Sequence, residues 1–268
     1  GSLMRIEDDS SLMVNVNIKE KDILKMALYA GSIMLRNGGE TYRAEETMIR
    51  ICNTCGIPTV ETFVTPTGIF LSIDRESSSQ VSVEGENATF TFQRRVWDRS
   101  IDLSKVSKVN NFSRTFDPEE TDISEAMEFL REIDGPPQYP LWLRSIFAGL
   151  AAAAFTGMNG GKAEDILCSL FIGIMMYGLI SFHDKLQENL FIKTLIAAAF
   201  GSALAIFCGY FHLAASTSTV IIGAIMIMLP GVAITNAIRD SLSGDLLSGM
   251  VRAFEAFINS AAIAVGVG

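Results

Sequence analysis

In the stretch IMLPGVAITNAIRDSLSGDLLSGMVRAFEAF, residues 227–257, Pro230, Asn236, Arg239, Asp240, Arg252 and Glu255 interrupt apolar runs that have the composition of membrane helices. Pro230 removes one helical N–H, and with Gly231 beside it predicts an unwound point near the middle of one span. Backbone broken at membrane depth needs protein or a water-filled cavity to receive its freed groups. A half-helix restarting at Val232 would aim its N–H groups and positive dipole end into that cavity, a device suited to holding a substrate carboxylate. A plain packing kink is the alternative for Pro230. Asn236 follows a little over a turn later and offers both donor and acceptor. Arg239 and Asp240 reach a cytosolic turn, Asp245 and Ser248 open the next helix, and Arg252 and Glu255 stand at i and i+3 on it. An unpaired charge at that depth costs at least about 2.5–3.5 kcal/mol on insertion scales. Arg252 and Glu255 therefore either pair with each other or face a partner or wet pathway that serves coupling or substrate passage. Asp240, Asp245 and Glu255 are the candidate proton carriers, because a carboxylate desolvated in a helix bundle has reason to titrate.

Five apolar segments must position these residues: 141–157, 166–182, 191–211, 220–238 and 246–267. Each approaches the roughly 20 residues that carry a helix across about 30 Å of hydrocarbon, the first two being short. Five such runs joined by short polar links are hard to explain without a bilayer. Small residues recur, as in AGLAAAAFTG, AAAFGSALA and GAIMIMLPG, and allow close helix packing where lipid removes the usual hydrophobic drive. With the N-terminal half inside, Arg144, Lys185, Lys193, Arg239 and Arg252 fall at or near cytosolic ends, against Lys162 alone at an outer loop. Arg144 and Lys193 can also snorkel from helix ends. Five crossings leave the C-terminus outside.

The first half is different in kind. Residues 1–140 carry 15 Lys and Arg against 23 Asp and Glu, while residues 141–268 carry 6 against 7. From Ile18 to Asn37 apolar residues recur at helical spacing, and Asn37, Gly38 and Gly39 predict the stop. A second helix over about Glu40 to Cys55 places Ala44, Met48, Ile51, Cys52 and Cys55 on one face and lets Glu46 meet Arg50. After Gly56 the period becomes two: Ile69, Leu71 and Ile73, then Phe90 and Phe92, predict antiparallel strands, with TPTG and EGEN as turns. Two more helices follow, the last with Asp117 as cap, Pro118 at its first position and Glu120 closing a capping box. In NGGETYRAEE, Glu40, Arg43, Glu45 and Glu46 crowd one helix start. That is either a solvated face favoured by the helix dipole or a cytosolic docking or gating surface, with Glu40, Arg43 and Glu46 as its candidates.

Several classes of function are disfavoured. An acidic chain without a Lys/Arg run has no electrostatic footprint for nucleic acid. There is no G-x-x-x-x-G-K-[ST] to cradle ATP phosphates. Cys52 and Cys55 form a C-x-x-C that no second pair or nearby His pair completes, so core packing is favoured over redox or zinc chemistry and no metal or cofactor is expected. His183 and His212 lie at membrane edges, without a G-x-S-x-G, H-E-x-x-H or paired intramembrane aspartate motif that would make a hydrolase. The opening GSLM resembles an expression scar, and no basic n-region with an apolar h-region follows, so the N-terminal half is expected to remain in the cytosol.

The chain resembles the threonine/serine exporter (ThrE-like) family, in particular its shorter two-component members of the YjjP type. AGSIMLRNGGETYRAEE, NGGKAED and LPGVAITNAIRDSLSGDLLSGMVRAFEA carry the resemblance, the last most specifically. It implies an inner-membrane exporter of small polar metabolites, such as threonine and serine or a dicarboxylate such as succinate. It also implies completion by a separate small membrane protein or by a homo-oligomer, since the sequence ends with segment five and longer members carry a second membrane half. The family's polar motif maps onto Pro230, Gly231, Asn236, Asp240, Gly244, Gly249 and Arg252. The expected fold is a membrane all-α bundle of five transmembrane helices preceded by a cytosolic α+β domain: a disordered tail over 1–17, the α+β domain over 18–140 and the membrane domain over 141–268. A scaffold that recruits partners through the cytosolic domain is the alternative to a proton-coupled exporter, and a membrane-bound hydrolase is a more distant one.

Overall fold

The computed structural model describes residues 6–57, 59–73, 90–96, 100–185 and 189–268. The chain divides into two compact units, one comprising Gly1–Gly135 with Thr235–Arg252, the other Pro136–Ile234 with Ala253–Gly268.

In the first unit, α1 (Ile6–Arg36) and α2 (Thr41–Thr54) precede a three-stranded antiparallel sheet of β1 (Val60–Thr65), β2 (Gly68–Ile73) and β3 (Phe90–Arg95), followed by α3 (Leu103–Thr115) and α4 (Ile123–Ile133). Helix α1 starts at Ile6, ahead of the Ile18 that periodicity marks. The TPTG hairpin sets the register Val64↔Ile69 and Thr62↔Leu71. Ile69 and Leu71 thereby face inward while Phe70 between them is exposed, as a two-residue period requires. The EGEN turn lies outside the described residues. Leu24, Ala27, Met34, Met48, Ile51, Val64, Val109 and Leu130 meet in one core. Cys52 belongs to that core and Cys55 packs against it. Burial, reinforced by Cys55, pushes the Cys52 thiol up to about 12, so at neutral pH it is a small hydrophobe rather than a nucleophile. The capping box expected at Asp117 does not form. Glu119 N instead donates to Asp117 Oδ1 at 2.9 Å, closing a tight turn, and α4 begins only at Ile123. A short Asx turn satisfied locally competes successfully with helix initiation there.

The chain belonging wholly or partly to the second unit forms α5 (Leu141–Met158), α6 (Ala163–Lys185), α7 (Leu190–Tyr210), α8 (Thr217–Met226), α9 (Gly231–Leu242) and α10 (Leu246–Val267). The unit boundary runs through α9 and α10. Four of these helices are long and apolar enough to cross a membrane, and α8 with α9 makes a fifth span if the pair, bent by 52°, is counted as one. Only 22–33% of the residues in the four apolar windows are buried by protein, so most of their apolar surface requires a non-aqueous solvent. The bend falls at Pro230, as expected, and the helix restarts at Gly231. Asn259 of α10 receives part of the freed backbone, its Nδ2 reaching Met228 O at 3.4 Å, while its Oδ1 accepts from Thr194 Oγ1 at 2.8 Å. At the opposite loops, Asp165 accepts from Lys162 N, Ala215 N and Ser216 N at 2.7–3.0 Å, knitting two links together through backbone donors.

Helices α5 and α6 approach closely enough to share small residues. A Cβ on Gly173 would stand 2.8 Å from Ala152 Cβ and 2.9 Å from Gly149 Cα, whereas one on Gly178 meets nothing within 4 Å. Gly173→Leu is expected to lower the unfolding free energy of the detergent-solubilised protein by about 1–3 kcal/mol or more. Gly178→Leu, measured alongside, is expected to leave it unchanged.

Candidate functional site

The polar residues singled out between Asn236 and Arg252 do not wait for ligand in isolation. Within the first unit they meet the turn between α1 and α2. That turn is built by a sequence signal of short range. Gly38 takes φ +90°, Gly39 N donates to Met34 O at 2.8 Å and Gly38 N to Leu35 O at 3.4 Å, the paired bonds of a Schellman C-cap. A side chain on Gly39 would bring its Cβ to 2.8 Å from Met34 O, so the second glycine is needed for clearance as the first is for conformation. The same device ends α5, where Gly160 has φ +80° and Gly161 N donates to Thr156 O. The two NGG segments are therefore one structural motif used twice.

The first NGG turn leaves the carbonyls of Gly38 and Gly39 without helical partners and starts α2 at Thr41. Each of these groups finds a partner from α9 or the start of α10. Asn236 Nδ2 donates to Gly38 O at 2.8 Å, and an Arg252 terminal nitrogen donates to Gly39 O at 2.8 Å. Glu40 is the N-cap of α2 but makes no side-chain cap bond. Asp240 supplies one from 199 positions away: its Oδ1 accepts from Thr41 N at 3.1 Å and from Thr41 Oγ1 at 2.9 Å. A carboxylate at a helix N-terminus satisfies an orphan N–H and faces the positive end of the dipole. Glu40 is turned instead toward Arg239, with which it forms an ion pair, and toward Arg43 at 3.5 Å.

Asp240 has no exposed surface and Arg252 is 7% exposed. Arg252 Nε stands 2.9 Å from Asp240 Oδ2, but among the described residues neither atom has an aligned hydrogen-bond partner, so this is a charge contact rather than a directional bond. Asp245 caps α10 by accepting from Ser248 N at 3.0 Å, and its second oxygen lies 3.1 Å from Thr41 Oγ1. The Thr41 hydroxyl thus sits between two carboxylates with one proton to give. Ser248 Oγ is buried and has no hydrogen-bond partner among the described residues.

Sequence reasoning named Asn236, Arg239, Asp240, Asp245, Arg252 and Glu40, and the structure brings them together, with Arg43 attached through Glu40. Glu46 forms the expected ion pair with Arg50. Pro230, Gly231 and Glu255 belong to the second unit. Thr41 and the two glycine carbonyls were missed: Thr41 looks like an ordinary first-turn residue, and backbone acceptors leave no residue-type signal.

The electrostatics of the α2 side are split. Burial acts to raise the Glu40 pKa, but its backbone hydrogen bond, the Arg239 hydrogen bond and the Arg43 and Arg239 charges outweigh burial and hold it below its ordinary 4.5. Glu45, which accepts from Val64 N at 3.2 Å, is raised, first by burial and further by Asp245 and Asp240. The linkage signs are opposite. Stability from Glu40 is present above its ordinary pKa and disappears as pH falls through the lowered one. Glu45 binds its proton more tightly when folded, so stability falls as pH rises from its ordinary value through the raised one.

At neutral pH, Glu40→Gln is expected to lower the unfolding midpoint, while Glu45→Gln, which keeps the acceptor for Val64 N and loses the charge, raises it by up to about 1 kcal/mol; thermal unfolding of both variants across pH checks the signs. Asp240→Asn and Arg252→Gln are each expected to cost about 3–5 kcal/mol, because each leaves a buried charge without its partner. A double-mutant cycle on the unfolding free energies is expected to show the combined variant less destabilised than the sum, and strict additivity would mean that the two charges are not coupled.

A family model described as "Putative threonine/serine exporter", ThrE, matches residues 25–268. The chain is 25% identical over 254 residues to the Escherichia coli K12 protein named "Probable succinate transporter subunit YjjP", and 23% identical over 253 residues to the protein of the same name from Klebsiella aerogenes; the alignments cover 93% of each chain. It is 19% identical over 253 residues to the "Probable threonine/serine exporter" of Mycobacterium tuberculosis, covering 94% of this chain and 46% of that longer one. No solved structure gives a significant match. With the family model covering everything from the middle of α1 through the Schellman turn and the polar hairpin to the end of α10, this multi-pass membrane chain belongs to the ThrE family.

Proposed function

We propose that the chain is a subunit of an inner-membrane secondary exporter of small polar metabolites, amino acids such as threonine and serine or a dicarboxylate such as succinate. The observation that carries this reading is membership of the ThrE family over residues 25–268, with relatives named as a succinate transporter subunit and a threonine/serine exporter. The word "subunit" in one set of names, and the greater length of the mycobacterial relative, support completion by a second small membrane protein or by further copies of the chain. The distribution of cations at helix ends supports a cytosolic position for the acidic N-terminal half. Family membership and the relatives' names support transport rather than catalysis for the chain.

In this reading the α1–α2 turn acts as a latch. While Gly38 O, Gly39 O, Glu40 and Thr41 hold Asn236, Arg252, Arg239 and Asp240, those side chains are occupied. Release frees a donor, two cations and a carboxylate for a zwitterionic or anionic metabolite. Pro230, Gly231 and Glu255 are further candidates for substrate binding or coupling. Proton coupling, with Asp240, Asp245 and Glu255 as its candidate carriers, is part of this proposal.

The same occupancy favours a second reading, in which these residues only hold the protein together and the chain is a membrane scaffold. Efflux of labelled threonine, serine and succinate separates the two. Cells expressing the chain with its candidate partner are expected to export at least one of these compounds faster than cells expressing either alone. Glu255→Gln and Asp240→Asn, each at wild-type abundance in the membrane, are expected to reduce that efflux about tenfold or more, the size of losing one charge-assisted contact. Abundant, folded protein that moves none of the three under either condition would leave the scaffold reading standing.

A further inference from the structure

Away from the latch, α1, β3 and α4 of the first unit surround an open cavity of about 360 Å³ lined by Lys25, Leu28, Tyr29, Arg94, Met127 and Arg131. Three of these six side chains are cations, in a half of the chain where Asp and Glu outnumber Lys and Arg by 23 to 15. Their placement follows from helix and strand geometry. Lys25, Leu28 and Tyr29 share one face of α1, Met127 and Arg131 are i and i+4 on α4, and Arg94 projects from β3 opposite Ile69. Leu28 is buried and Met127 packs against the core, so the floor is apolar and the walls are positive.

The positive charge is poorly neutralised. Asp134, the nearby carboxylate, is already taken by the Tyr29 hydroxyl and by Arg36, both at 2.7 Å. Lys25 reaches Asp22 at 3.2 Å in a half-exposed pair of the kind that contributes little. Arg94 lies over the Tyr29 ring, 4.9 Å from its centre, and among the described residues neither Arg94 nor Arg131 has a carboxylate ion pair. Burial, and then the neighbouring Arg36, press the Arg94 guanidinium below its ordinary pKa. An arriving anion would relieve that repulsion.

Size and lining narrow the ligand. A volume near 360 Å³ is at the lower end of the about 300–1,000 Å³ typical of small-molecule sites, too little for a nucleotide in full contact and ample for a compound of a few carbons. An inorganic anion would use the cations and leave Leu28, Met127 and the Tyr29 ring without a role. We propose that this pocket binds a small carboxylate metabolite, with its carboxylate between Arg94 and Arg131, Lys25 at the rim and its carbon chain on Leu28 and Met127. This assignment does not rest on the exporter reading, since the pocket is built from α1, β3 and α4 and the latch residues do not line it.

The test is calorimetric titration of the intact detergent-solubilised chain with succinate, with its neutral diamide succinamide, and with sulfate. Succinate is expected to bind saturably, more weakly as salt rises, with succinamide silent and sulfate weaker. Arg94→Gln and Arg131→Gln are each expected to weaken succinate binding about tenfold or more, Arg94→Lys less than Arg94→Gln, and Lys108→Gln, at an exposed cation of α3 outside the lining, not at all. Arg131 is exposed, so its variant decides the matter even if Arg94→Gln folds poorly. No saturable binding, binding that survives Arg131→Gln, or binding lost equally in Lys108→Gln overturns the proposal. Sulfate binding as tight as succinate overturns the carboxylate assignment. Efflux is measured separately, so failure here and failure of the exporter reading are distinguishable.

Discussion

Asp240 is a carboxylate with no exposed surface, and such a group must find its counter-charge and hydrogen-bond donors within the protein. It does so from three directions. Arg252 supplies the opposite charge at 2.9 Å, Thr41 supplies a backbone and a hydroxyl donor, and α2 presents the positive end of its dipole. Because the donors lie about 200 positions from the acceptor in sequence, solvating this one carboxylate ties α2 and the α1–α2 turn to α9 and α10. Asn236, Arg239 and the second Arg252 contact then fall on adjoining groups of the same turn. The incomplete alignment at Arg252 Nε and Asp240 Oδ2 leaves this buried pair short of its best geometry.

The broken span follows the same accounting on the membrane side. Pro230 interrupts the helical ladder, and the carbonyls released in hydrocarbon need donors. Asn259, itself held by Thr194, supplies one to Met228. Small residues matter for a related reason. Where water does not drive helices together, close approach at Gly149 and Gly173 gives α5 and α6 their contact. Membership of the ThrE family gives these features a setting in transport.

Much of this protein was legible in its residues because the signals are local. Apolar length marked the spans, Pro230 marked the break, the first NGG segment marked the end of α1, and alternation marked β2 with Ile69 and Leu71 inward. The failure at Asp117 was also local: a cap, a proline and an acidic residue can close a turn as well as start a helix, and composition does not choose between them. The C-x-x-C was read as core, and Cys52 is in the core.

The sequence by itself determined which residues would be costly to bury: Asn236, Arg239, Asp240 and Arg252 announce themselves because charge and amide groups inside apolar runs demand compensation. Only the tertiary structure decided what compensates them. Two glycine carbonyls and a threonine N–H near residue 40 do most of it, and backbone groups are the same at every position, so no residue type reveals which will be turned toward a buried charge. That depends on the path of the chain through the Schellman turn and on the unit that gathers residues 235–252 with the N-terminal elements.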